Sequence, residues 1–387
     1  MSNILMIIPA LQCGGGLQKI SLFLSEQLID RGHNVVVVDS VGPPLERLTY
    51  LRVLPKFCVI NSYHLSKRAL ESFSQIVAEN TIDLIIYQGF FPEVNKFLHQ
   101  WKKHNDIPII SVYHSSPEAL VVNSINEIAS VTLRDRVKRL AFPLYKIYQK
   151  YTLRNFFGMP ADFSQNIVLL SESYKRIYQK LSGHSKNIEI ITNFIPRKKA
   201  IVEHKKMKQL LYIGRLEESV KKVSRAIRIW ESIAQQMPDW DFVIAGDGRC
   251  RNQYEEYVQK NNVPRVNFVG YISDPTDLYA ESQILLFTSD FEGFSLVIVE
   301  AMQCGCVPIV YDSYASAKDI IDSGVNGILI PPFDEEIFKK ELLTLMNDGQ
   351  KCKAMSINAI TTGMKYLPEN IVPKWENLID SIIQNKK

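Results

Sequence analysis

At 387 residues the chain is too long for one ordinary hydrophobic core, which points to two domains. With 46% hydrophobic and 22% charged residues it reads as a soluble globular protein, and a net charge of only +4, with no basic cluster inside a recognisable binding motif, argues against nucleic acid as a partner. The six cysteines, at 13, 58, 250, 304, 306 and 352, form no C-x-x-C pair and no zinc spacing; reduced thiols in a cytosolic protein are expected, with Cys304 and Cys306 as packing residues.

In chain order, residues 4–10 are apolar and read as a buried strand. The run is short and no Lys or Arg precedes it, so it does not fit a signal peptide, and no later run reaches the ~20 apolar residues of a spanning helix. A helix follows over 17–30, with Leu17, Ile20, Leu24 and Leu28 on one face. Between strand and helix stand Gly14, Gly15 and Gly16, which let a backbone approach a phosphate or sugar closely, although such a cluster alone is more often a tight turn. A dinucleotide fingerprint needs glycine where Lys19 stands, so NAD binding is not expected, even though Asp39 ends the second strand, 35–39, where a ribose-binding acid would be.

Further apolar runs at 83–87, 108–113 and 167–170 alternate with helical patterns such as 66–79 and 93–103, the signature of a parallel, doubly wound sheet. His114 follows one of these runs, at the strand end where open α/β sheets bind ligands; a lone histidine is as often structural. Residues 131–157 carry seven basic residues against one acid, Asp135, and Pro143 is expected to break or kink a helix there. That stretch suits either an anionic membrane surface or an ordinary hairpin with a solvated basic side.

The alternation then restarts, with strands at 210–213, 241–245, 266–269, 284–287, 307–310 and 327–330 and a helix at 222–236. Residues 197–208 are charged and apolar-poor and read as an exposed linker, so the domains are expected at 1–195 and 196–365, followed by a last helix at about 371–384 with no strand after it. Two α/β domains joined once leave a cleft between the carboxyl ends of their sheets.

The second half carries the chemistry. Arg215, in Gly214-Arg215-Leu216, and the pair Lys221-Lys222 follow the first strand of that half; an arginine forks onto phosphate and a lysine adds a point charge. Glu292 closes a polar loop after the strand 284–287, and Glu300 lies eight residues on, in a helix that starts near Ser295. The amides of Phe294, Ser295 and Leu296 between them face an open helix N-terminus. Two carboxylates flanking such a terminus suit a ligand with a diphosphate and hydroxyl-rich ends, and Glu300 can accept from two vicinal hydroxyls.

G-R-L with its downstream lysine, I-A-G-D-G at 244–248, F-V-G-Y at 268–271 and the E-x(7)-E stretch with its G-C-x-P end occur in the order seen in the retaining GT-B glycosyltransferases of family 4, and most of 210–335 resembles the nucleotide-sugar half of that family. The resemblance implies the α/β GT-B fold, two Rossmann-like doubly wound domains facing across a cleft, with the final helix, 366–387, returning to the first domain. It implies that Arg215 and Lys221, or Lys222 in its place, hold the donor diphosphate, that Glu300 holds the ribose, that Glu292 lies against the donor sugar, and that the amides of Phe294, Ser295 and Leu296 touch sugar and phosphate. Asn193 and Tyr271 fall in the donor site by the same resemblance, as do His114 and the loop residues Gly15 and Gly16; Gln18 stands where that loop usually has an acid.

The activity so implied is retaining transfer of a sugar from a nucleotide diphosphate sugar, commonly a UDP-sugar, to a glycan or lipid-linked acceptor in cell-surface polysaccharide synthesis. No cofactor or obligate metal is implied, and the seven histidines show no H-x-x-x-H pairing. The implied location is cytoplasmic, peripheral at the inner face of the membrane. Two rivals remain: a GT-B-like epimerase, which would consume the nucleotide sugar without an acceptor, and a non-catalytic two-lobed binding protein.

Overall fold

The computed structural model describes residues 1–11, 15–40, 51–60, 63–117, 142–198 and 206–384; of residues 142–149 only the backbone is described. Gly14, and within the basic stretch residues 131–141, lie outside these. The chain divides into unit 1, Met1–Phe194 with Pro368–Lys387, and unit 2, Ile195–Leu367.

Unit 1 is built on a parallel sheet of β1 (Asn3–Ile7), β2 (Asn34–Asp39), β3 (Lys56–Val59), β4 (Leu84–Gln88), β5 (Ile109–Tyr113), β6 (Asn166–Leu169) and β7 (Ile188–Ile190), in the order β3-β2-β1-β4-β5-β6-β7. Ile4, Leu5, Met6 and Ile7 are all fully buried, as expected of a strand covered on both faces. Burying each such side chain contributes about 1.5–3 kcal/mol. The first strand ends at Ile7, not at residue 10: Ala10 has φ +58, outside the strand region. The helix Gly16–Asp30 follows, and the last helix, Pro368–Gln384, packs on it, with Arg31 Nε 3.2 Å from Glu376 Oε2. β3 and β7 escape the sequence pattern because each is short and partly exposed.

The described helix runs Phe142–Phe163 with Pro160 inside it, and the effect of Pro143 on any helix through the basic stretch lies outside the described residues.

Unit 2 repeats the plan with β8 (Met207–Ile213), β9 (Asp241–Ala245), β10 (Val266–Gly270), β11 (Ser282–Phe287), β12 (Val307–Tyr311) and β13 (Ile328–Ile330), in the order β10-β9-β8-β11-β12-β13, all parallel. Both sheets therefore have the Rossmann strand order, which reverses direction between β1 and β4 and between β8 and β11; ligands of such sheets bind at the carboxyl ends flanking that point.

The segment before β8 is exposed at Arg197, Met207 and Lys208, as expected of a linker, but two of its lysines are not. Lys198 is 13% exposed in its side chain. Lys206 Nζ donates to the carbonyls of Tyr279, Ser282 and Cys304 at 2.8–2.9 Å. A long lysine stem covers apolar surface while its ammonium finds carbonyl oxygens, so a charged composition does not by itself mean exposure.

Candidate active site

The loops at the carboxyl ends of β8 and β9 touch backbone to backbone. Gly246 has φ +136, and a Cβ there would lie 1.9 Å from the carbonyl oxygen of Gly214; one on Gly248 would lie 2.5 Å from that of Leu216. The two glycines of I-A-G-D-G thus permit the bonds from Gly214 N to Ala245 O and from Leu216 N to Asp247 O, at 3.1 and 2.9 Å. This contact shapes a cavity of about 280 Å³ lined by Arg215, Gly246, Asp247 and Tyr271 among others. Arg215 is 63% exposed and its Nη1 lies 3.5 Å from Glu217 Oε1. Tyr271 is 75% exposed.

Lys221 and Glu292, 71 residues apart, form an ion pair of 2.5 Å, and the lysine Nζ lies 5.7 Å from the centre of the Phe287 ring. Both side chains are largely buried. Lys222 is built differently. It caps the helix Val223–Ile233 in the left-handed region, φ +50, and its Nζ faces Asp290 Oδ2 at 3.8 Å. Of the two lysines, Lys221 is therefore the one joined to Glu292.

The helix Leu296–Gln303 begins at the carboxyl side of β11 with Ser295 as N-cap, whose hydroxyl accepts from Ile298 N. The N–H groups of Leu296 and Val297 have no acceptor within the helix. Phe294 turns its ring inward, 5.4 Å from that of Tyr366, so its site contribution is limited to the backbone. Glu300 lies one turn into the helix. Its Oε2 accepts from the buried hydroxyl of Tyr279 at 3.0 Å, and its Oε1 lies 3.8 Å from Lys198 Nζ. Burial, with Glu300 adding to it, pushes the Tyr279 hydroxyl well above the usual phenol range, so it stays protonated and donates. Lys198 also faces Asp274 at 3.5 Å; the hydrogen bond from the Thr276 hydroxyl, helped by Lys198, holds that carboxyl below its usual range. Sequence pattern missed Lys198 and Tyr279, the first because it sits in a stretch of charges and the second because nothing local marks a tyrosine aimed at a carboxylate 21 residues on.

Cys304 and Cys306 are buried, and burial raises their thiols to about 11 and about 12, so they are packing groups. Among the described residues no group of three His, Cys, Asp or Glu side chains is placed to hold a metal ion.

In unit 1, Gly15 is the N-cap of Gly16–Asp30, and Gln18 supplies what glycine lacks: its Oε1 accepts from Gly15 N at 3.1 Å while its Nε2 donates to Pro9 O at 3.1 Å. Gln18 is a capping residue, for which an amide serves better than an acid because it both accepts and donates. Asp39 accepts from the amides of Ala10, Leu11 and Ser40, so its carboxylate is spent on closing loops rather than awaiting a ribose.

His114 and Asn193 come together in unit 1 around a cavity of about 10 Å³, the size of one water, with Gln88, Thr192 and Trp375. Gln88 Oε1 lies 2.7 Å from His114 Nε2, which puts the proton of the neutral ring on Nε2 and leaves Nδ1 as an acceptor. His114 Nδ1, Gln88 Nε2 and Thr192 Oγ1 are buried without a hydrogen-bond partner among the described residues. Burial lowers the His114 pKa to about 4, so the ring is neutral near pH 7.

Two family models match the chain: residues 14–199 match "Glycosyltransferase Family 4" and residues 194–362 match "Glycosyl transferases group 1". The poly(glycerol-phosphate) alpha-glucosyltransferase of Bacillus subtilis is 23% identical over 73% of this chain and 42% of its own length. A Campylobacter jejuni alpha-1,4-N-acetyl-D-galactosaminyltransferase, whose named acceptor is a diphosphate-linked undecaprenol glycan, is 28% identical over 45% of this chain and 48% of its own length. The matched part thus spans about half of each of these relatives. The crystal structure of Anabaena HepE in complex with UDP and glucose superposes with a TM-score of 0.76 at 17% identity, covering 98% of this chain and all of that one. No helix among the described residues is long and apolar enough to cross a membrane.

Proposed function

The chain belongs to the group 1 glycosyl transferases of family 4, the GT-B class, and from that premise we propose that it moves a sugar from a nucleoside diphosphate sugar, a uridine one first, to a hydroxyl of a glycan or lipid-linked acceptor, with retention at the anomeric carbon and no obligate metal. The observation that carries this reading is the arrangement at the end of β11: Glu292, paired with Lys221 from the loop after β8, the open start of the helix Leu296–Gln303 and Glu300 follow one another along one strand-loop-helix turn. A diphosphate fits the cation and the amides, and a ribose fits the carboxylate.

In this reading the bond from the anomeric carbon to the phosphate oxygen breaks, and negative charge grows on the leaving diphosphate. Arg215, Lys221 and the amides near Ser295 stabilise that charge, the electrostatic form of catalysis. Lys221 exchanges its Glu292 oxygen for a phosphate oxygen, and Glu292 turns to the sugar. The leaving phosphate takes the acceptor hydroxyl's proton as the new glycosidic bond forms, which balances the transfer without a side-chain base. His114, neutral, serves as a hydrogen-bonding group for a sugar hydroxyl rather than as a charge. In unit 1 Gly15, Gly16 and Asn193, and in unit 2 Lys222 and Tyr271, are the further residues assigned to donor binding in this reading.

The relatives support this choice: an alpha-glucosyltransferase of a phosphate polymer, a transferase acting on an undecaprenol-linked glycan, and a fold neighbour holding UDP and glucose. We place the protein in cell-surface polysaccharide synthesis at the inner face of the membrane, with the helix carrying the exposed Lys150, Tyr151 and Arg154 turned to anionic lipid.

The test is thermal melting with UDP, GDP and ADP in EDTA. A ligand that binds only the folded state raises the melting temperature. A rise with one nucleotide that Glu300→Ala abolishes is the expected result; no rise with any of the three overturns the donor assignment and favours a binding protein for another ligand. Conversion of the bound nucleotide sugar in the absence of acceptor, without release of the nucleotide, would instead indicate the epimerase.

A further inference from the structure

Arg225 has no place in any motif read from the sequence, yet it is the most heavily engaged cation near the proposed phosphate site. It lies in the first turn of the helix Val223–Ile233 with a side chain only 13% exposed. Its Nη1 donates to the carbonyl of Thr288 and to Asp290 Oδ1, both at 2.9 Å. Its guanidinium lies 4.6 Å from the centre of the Phe333 ring and 5.2 Å from that of Tyr311, within the range of cation–π attraction.

What Arg225 grips is the loop that leads to Glu292, and that loop is laced to the one that carries Lys221. Asp290 N donates to Val220 O at 2.9 Å, and Thr288 Oγ1 donates to Lys222 O at 3.0 Å. The backbone is thus held immediately before and immediately after Lys221. The other Asp290 oxygen faces Lys222 Nζ. We propose that Arg225, through Asp290, is the positioning residue of the diphosphate site. It holds the loops 217–222 and 288–292 in register, so that Lys221 meets the phosphate. It also neutralises a carboxylate that would otherwise repel the incoming anion. Arg225 engages Thr288 and Asp290 through Nη1 and does not touch the ligand in this account. The inference rests on the donor reading above.

That account separates the diphosphate from the rest of the nucleotide. The ribose end belongs to Glu300, which is held by Tyr279 and Lys198 and not by Arg225. Calorimetric titration of the full chain with UDP and with UMP, for wild type, Arg225→Gln and the double variant Arg225→Gln/Asp290→Asn, reads the difference. In Arg225→Gln the UDP dissociation constant is expected to rise about tenfold and that of UMP by less than about twofold, the size of a lost charged hydrogen bond confined to one end of the ligand. Adding Asp290→Asn removes the carboxylate, then faced only by Lys222, and is expected to recover part of the UDP affinity, which a merely structural defect would not allow. Should Arg225→Gln fail to fold, Arg225→Lys, which keeps the charge and loses the planar fork, carries the same comparison. Equal weakening of UDP and UMP, unchanged UDP affinity, or no recovery in the double variant overturns the proposal. Wild type that binds neither nucleotide overturns the donor reading itself, and this inference with it.

Discussion

The crevice at β8 and β11 and its counterpart at β1 and β4 occupy the same point in the same strand order, yet they are furnished in opposite ways. In unit 2 the strand ends carry charges, each answered by an opposite charge: Lys221 by Glu292, Asp290 by Arg225 and Lys222, Glu300 by Lys198. In unit 1 the carboxylate ending β2, Asp39, is taken up by loop amides, and the crevice itself carries neutral polar groups, three of whose atoms have no partner among the described residues: His114 Nδ1, Gln88 Nε2 and Thr192 Oγ1. Leaving a half-buried charge unpaired costs far more than leaving an amide or imidazole nitrogen unpaired. A site for an anionic ligand must therefore hold its own counter-charges while empty, whereas a site for hydroxyls can wait with open hydrogen-bonding positions.

The largest expected effect lies in the charged crevice. Lys221→Ala should lower turnover by about 100-fold or more, the usual loss when a group that stabilises a developing anion is removed. Steady-state kinetics of this variant beside His114→Ala tests the contrast directly; a larger loss in His114→Ala would break it. Next in size is a pair of glycines. Gly246→Ala places a Cβ 1.9 Å from a backbone oxygen in a left-handed conformation and should cost roughly 3 kcal/mol or more. Gly15→Ala, at φ −82 with only the tip of Gln18 nearby, should cost about 1 kcal/mol or less. Denaturant unfolding of both compares the loop closures of the two units, and equal losses would show that they are equally tight.

The third effect is one of pH. The His114 pKa is lowered to about 4 in the folded protein against 6.5 in the unfolded chain. Below 6.5 the unfolded chain takes up a proton that the native ring refuses. The stability linked to His114 is therefore complete above pH 6.5 and is lost as pH falls toward 4, by on the order of 3 kcal/mol. His114→Gln should remove that slope, seen as a smaller fall in unfolding free energy between pH 6.5 and 4 than in wild type; an unchanged slope would mean that the ring is hydrated and not part of a neutral crevice. The smallest effect is at Gln18. Gln18→Ala deletes the cap of Gly15 and the bond to Pro9, and should cost about 1 kcal/mol of stability with little change in nucleotide affinity.

Particular residues show which features were legible in the sequence. The α/β alternation was legible because parallel strands covered on both faces appear as unbroken apolar runs, as at Ile4–Ile7 and Ile284–Phe287. β3 and β7 were not, being short, partly exposed strands whose existence depends on a neighbour to pair with. In the candidate site, Glu292, Glu300 and Lys221 could be marked from spacing because each is near a strand end or helix start, and those ends are local features. Lys198, Tyr279 and Arg225 could not, since each earns its place by touching a group 21 or more residues away.

By itself, then, the sequence determined the strand–helix alternation of two α/β halves and the side chains standing at the ends of several strands, because those follow from apolar run lengths, glycines and caps acting over a few residues. Only the tertiary structure decided which charge answers which. The choice of Lys221 over Lys222 for Glu292, the spending of Asp39 on loop amides, the capping role of Gln18 and the grip of Arg225 on Asp290 all follow from distances between segments far apart in the chain, and pairing at such separations is set by how the sheets and helices pack.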